Sequence, residues 1–97
     1  MNDTTRKSFI EALKGRLDDL DVHIAKLEQK GKEFEGEARK EYEKRLLDLR
    51  EKRRHVDRKI HELRAAGEEK WHALKDEAEH TWKALSNSFS YFKSHFK

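Results

Sequence analysis

The chain has 97 residues, of which 34% are hydrophobic and 44% charged, with 23 Lys+Arg against 20 Asp+Glu and a formal net charge of +3. So short and polar a chain has little surface to bury in a globular core, yet its near balance of charge removes the self-repulsion that favours disorder. It contains no proline and no cysteine, so nothing forces a helix to break, and disulfides and thiolate metal sites are excluded.

The polar opening from Met1 to Thr5 leads into no apolar signal segment, and no stretch is long enough to cross a bilayer. A cytoplasmic protein is the expectation. Helix initiation is signalled at Ser8, with Glu11 three residues on as a capping box; Thr4 or Thr5 could cap one turn earlier.

From there an apolar stripe steps by three and four, averaging about 3.6 residues per step. Residues 10–34 follow a heptad pattern, with Ile10, Leu17, Ile24 and Gly31 alternating with Leu13, Leu20, Leu27 and Phe34. A charged middle, residues 35–66, carries the stripe through Ala38, Tyr42, Leu46, Leu49, Arg53, Val56, Ile60 and Leu63. Residues 67–96 are aromatic and follow an eleven-residue repeat. Trp71-His72-Ala73-Leu74 recurs as Trp82-Lys83-Ala84-Leu85, and Gly67, Ala78, Phe89, Phe92 and Phe96 continue the stripe. A heptad repeat winds left-handed and an eleven-residue repeat straight or slightly right-handed, so the average is nearly straight. Acid-before-base pairs at i,i+4 flank the stripe: Glu28–Lys32, Glu35–Arg39, Glu41–Arg45, Asp48–Lys52 and Glu79–Lys83.

The expected fold is all-α in a single domain. The unbroken phase predicts one long amphipathic helix, a rod of about 145 Å, assembling as a coiled-coil bundle. The alternative is a helical hairpin bent near residues 31–36, where Gly31 and Gly36 weaken the helix. A lone helix with this stripe would expose more apolar surface than soluble monomers tolerate. The expectation is therefore a homo-oligomer, three or four helices being favoured over two because of the bulky aromatics, with the stripe from Ile10 to Phe96 as its core. Arg53 interrupts that core. It either fixes register or lays its stem on the core with its head in water.

Chemistry-bearing constellations are sparse. His72, Asp76 and His80 share one helix face at metal-ligand spacing, but the face looks away from the stripe, and solvated side chains are the preferred reading there. His23, His55, His61 and His95 also project off the stripe. No nucleophile stands beside a base and no phosphate-binding loop is present, so neither an enzyme nor a cofactor is expected. Residues 39–64 hold an excess of five positive charges, yet acids interrupt the run, and Arg50, Arg54, Arg58 and Lys59 point to several sides. Nucleic-acid binding wants one-sided charge and is disfavoured. The segment 71–96 combines Trp71, Trp82, Phe89, Phe92 and Phe96 with Lys70, Lys75, Lys83, Lys93 and Lys97 around it. That composition suits peripheral binding to an anionic membrane surface, as the alternative to burial in the core.

The Leu/Ile heptads opened by Phe9 to Leu13, the Glu41-Tyr42-Glu43-Lys44 unit followed by Leu49-Arg50-Glu51-Lys52, and the doubled Trp-x-x-Leu before a Phe/Lys end resemble a family of short bacterial coiled-coil proteins. That family is described as stress-response proteins in cyanobacteria. The sequence departs from it at Gly31 and Gly36, in its Arg-rich middle and in its aromatic C-terminal part. The resemblance implies no catalytic residues; the function expected of the chain is that of a non-enzymatic structural or scaffolding oligomer, related to stress.

Overall fold

The computed structural model of the protein describes residues 3–96, and all regular structure among them is helical. Helix α1 spans Asp3–Lys30, a single 3-10 turn spans Gly31–Glu33, α2 spans Gly36–Ala65 and α3 spans Glu68–His95. Met1, Asn2 and Lys97 lie outside the described residues. One continuous rod is thus replaced by three helices folded back on one another, and the molecule measures 52 × 19 × 18 Å. The bend near residues 31–36 is present. A second one, at Ala66 and Gly67, is not announced by any change of phase.

Both breaks have local causes. After the 3-10 turn, Phe34 (φ −90°, ψ 152°) and Glu35 (φ −134°, ψ 160°) are extended. Gly36 then takes φ +61°, a conformation open to glycine at little cost. At the second break Ala66 (φ −72°, ψ 135°) and Gly67 (φ −80°, ψ 174°) are extended. The Gly67 carbonyl accepts from the N–H groups of Lys70 and Trp71 to start α3. Charge sharpens both boundaries. Lys30 and Arg64 end α1 and α2, while Glu37 opens α2 and Glu68 and Glu69 open α3, as the helix dipole favours. The Ser8 capping box is not used: α1 already runs from Asp3, which leaves Ser8 exposed within the helix.

Cross-helix contacts fix the directions. Phe9 meets Trp71 edge-on at 6.0 Å, and the Lys30 ammonium donates to the Phe96 carbonyl at 3.4 Å. Helices α1 and α3 therefore run parallel, with α2 antiparallel to both. The stripe faces inward on every helix. Leu13, Leu17, Leu20, Ile24, Tyr42, Leu46, Leu49, Val56, Ile60, Leu63, Trp71, Ala78, Leu85 and Phe92 are buried. Phe9, Ile10, Leu27, Phe34, Ala66, Leu74, Trp82, Phe89 and Phe96 pack against them half-buried. Ala38 and Gly67, also on the stripe, are exposed at helix starts. The apolar band that called for partner chains is here covered by the chain's own helices.

The second break gives a direct test. The Gly67 φ of −80° suits proline, the preceding Ala66 is extended, and added carbon at Gly67 meets nothing within 4 Å. Gly67→Pro should leave stability unchanged or raise it by about 0.5 kcal/mol. In a continuous helix the same change would cost about 3 kcal/mol or more, and a chemical denaturation curve separates the two outcomes.

Candidate functional site

Helix α2 carries the positive excess, and the fold disposes of it in three directions. Arg53 stands on the stripe but turns to α1, where its Nε and Nη2 donate to the two Asp21 carboxylate oxygens at 2.8 and 2.9 Å. Arg50 reaches Glu28 on α1 at 2.8 Å. Lys59 bridges Glu62 at 3.2 Å and Glu77 of α3 at 3.0 Å. Arg54 and Arg58 remain exposed on the outer ridge of α2. Arg53 thus lays its stem along the core and pairs its head at the rim, a two-pronged bond that ties α2 to α1.

These pairs shift titration. The hydrogen bond from Lys59 to Glu77, helped by Glu62, holds its ammonium above the ordinary 10.5 against the opposing effect of burial. The Asp21 hydrogen bond likewise raises Arg53 above its ordinary value, again against burial. Burial pushes the Tyr42 phenol above its ordinary 10.0, and the Glu33 charge adds to this. Each group has a raised folded-state value, so its contribution is complete below the ordinary value and lost as pH rises through the folded one. On the alkaline side, the denaturation midpoint should fall above about pH 10. Tyr42→Phe should make that fall shallower; an unchanged slope would remove Tyr42 from the explanation.

The aromatic end gathers around the first bend. Tyr42 is fully buried and donates its hydroxyl to the Leu27 carbonyl at 2.6 Å. Phe34 stacks on its ring at 4.8 Å, and Phe92 and Phe96 meet it edge-on at 4.9 and 5.0 Å. The last turn of α3, the start of α2 and the end of α1 are locked together there. At the opposite end Trp71 is 1% exposed, with the Arg6 guanidinium 5.4 Å from its ring centre. Trp82, Leu74 and Phe89 keep part of their surface in water.

His72, Asp76 and His80 are all exposed on α3, and among the described residues no group of three or more His, Asp or Glu is arranged to hold a metal ion. His61 lies 3.4 Å from Asp57, His23 leans on Phe89 at 5.9 Å, and His55 shares a shallow cleft with His80 between α2 and α3. Apart from the aromatic Tyr42 and Trp71, no described residue with a polar or charged side chain is buried. No described helix is long and apolar enough to cross a membrane.

Of the five expected i,i+4 pairs, Glu41–Arg45 and Asp48–Lys52 form, at 3.0 and 2.9 Å. Glu28 turns to Arg50 instead, and Arg39 pairs with Glu43 because Glu35 precedes α2. Sequence reasoning also misses a cleft of about 520 Å³ between α1 and α3, lined by Phe9, Ala12, Leu13, Arg16, Glu79, Trp82, Lys83 and Ser86. Its residues lie on two parallel helices far apart in the chain, so no local spacing marks it. No family model matches the chain, and no curated protein or solved structure matches it either.

Proposed function

We propose that the protein is a non-enzymatic helical module with a structural or scaffolding role, folded within one chain. The observation carrying this reading is the use of the apolar stripe: from Leu13 to Phe92 it is taken up by the chain's own core, leaving a charged outer surface. Self-association is then secondary to folding. A stress-related setting and a cytoplasmic location enter this reading through the sequence alone.

The second reading is peripheral membrane binding through residues 71–96. It is favoured by one feature: among the described residues no Cα of α1 lies within 8 Å of a Cα of α3. Side chains alone close that seam, so displacing α1 would present the Trp/Phe face of α3 to lipid.

Two measurements test the proposal. Thermal melting should be independent of protein concentration, since the core forms within one chain. A core shared between two chains would gain about 2.7 kcal/mol over a hundredfold rise in concentration. Phosphatidylglycerol vesicles should leave tryptophan emission unmoved, whereas a salt-sensitive blue shift would establish the membrane reading in its place.

A further inference from the structure

The seam between α1 and α3 has a physical origin. Large rings prop the two helices apart: Phe9 against Trp71 at 6.0 Å near one end, and His23 against Phe89 at 5.9 Å further along. Between these props lie Ala12 on α1 and Ser86 on α3, whose short side chains cannot fill the gap. The cleft of about 520 Å³ results, within the usual size of small-molecule sites. Its apolar lining is Phe9, Ala12, Leu13 and Trp82, and the Trp82 indole is only partly buried although it sits on the core stripe.

The polar lining is unbalanced. Arg16, Lys83 and Glu79 line the same cleft, and none of them makes an ion pair or hydrogen bond among the described residues. Two unpaired cations against one acid leave a net positive rim on an apolar floor. A hydrophilic anion would gain nothing from that floor, and an uncharged hydrocarbon nothing from the rim. A helix is about 10 Å across with its side chains, so two turns of one fill on the order of 800 Å³, more than the cleft's volume of about 520 Å³. We propose that the α1–α3 cleft binds a single-chain carboxylate in monomeric form. Its tail lies on Phe9, Leu13 and Trp82, and its head is held by Arg16 and Lys83 and repelled by Glu79. This site is independent of the structural role proposed above.

The test uses sodium decanoate at concentrations below those at which it forms micelles. In Trp71→Phe, where Trp82 is the sole indole, emission should change saturably with one ligand per chain. Calorimetry on the unaltered chain gives the same stoichiometry without relying on that variant's stability. Arg16→Gln and Lys83→Gln should each weaken binding about fivefold, Glu79→Gln should tighten it, and decanol should bind more weakly than decanoate. The proposal is overturned by binding that does not saturate, by affinities indifferent to all three charge changes, or by a response accompanied by loss of helical circular dichroism. A response to phosphatidylglycerol vesicles with none to monomeric decanoate overturns it too, because the ligand is then a lipid surface.

Discussion

Trp71→Ala is expected to lower the thermal midpoint by about 12 °C or more. Removing a fully buried large aromatic costs about 3–5 kcal/mol, and in a chain of this length each kcal/mol corresponds to about 4–8 °C. Trp71 is 1% exposed and lies where all three helices begin or end near one another, against Phe9 and under Arg6. Its loss removes the ring that spaces α1 from α3 as well as the area it buries. Trp82→Ala should cost clearly less, since that indole already faces water on one side. Leu47→Ala, at a side chain 55% exposed, should change stability by no more than about 0.5 kcal/mol. Circular dichroism melts of the three variants check the order Trp71, Trp82, Leu47. If Trp82 proved as costly as Trp71, the burial pattern of α3 would have to be redrawn.

Gly31→Ala is expected to destabilise the fold by about 2 kcal/mol, against the usual benefit of alanine in a helical turn. A carbon added at Gly31 would lie 2.9 Å from one carbon of the Tyr42 ring and 3.0 Å from another. That ring is fully buried, anchored through its hydroxyl to Leu27 and hemmed in by Phe34, Phe92 and Phe96. It cannot give way without disturbing the whole cluster. Gly15→Ala provides the contrast. It lies within α1 with nothing within 4 Å of the added carbon, so it should stabilise by about 0.5–1 kcal/mol. Opposite signs at two helical or near-helical glycines, read by urea denaturation, would be hard to obtain from any arrangement that left Gly31 in open space.

Helix content and the inward face were legible because the stripe is a property of each residue's own turn: Leu17, Leu49, Val56 and Leu85 needed no knowledge of their partners to be placed in a core. The number of helices was not legible from the same signal. Leu63, Gly67 and Trp71 step by four whether or not a turn intervenes, because a two-residue break replaces about as much phase as it removes. The better signal lay in charge and glycine together. Lys30-Gly31 followed by Glu33, Glu35 and Glu37, and Arg64 followed by Gly67, Glu68 and Glu69, each read as base, glycine, then acids. That is how one helix ends and the next begins. Arg53 was recognised as exceptional, but its partner Asp21 lies 32 residues away, and only the folded-back topology brings them together. The α1–α3 cleft was hidden for the same reason, since Arg16 and Lys83 become neighbours only once two turns have been made.

An odd number of antiparallel helices has a mechanical consequence. The chain enters the bundle at Asp3, at the Trp71 end, and leaves it at Phe96, at the Tyr42 end. A pull between those residues therefore acts along the 52 Å axis and loads the helices in shear, where packed side chains must slide past one another together. Hairpins of two helices bring both ends to one side and open like a zipper, one turn at a time. The three-helix arrangement instead resists until its core gives way as a unit. It then lengthens severalfold, since a fully extended residue spans about 3.3–3.6 Å. The bends at residues 31–36 and 66–67 thus turn a helical stripe into a stiff strut with a built-in yield point.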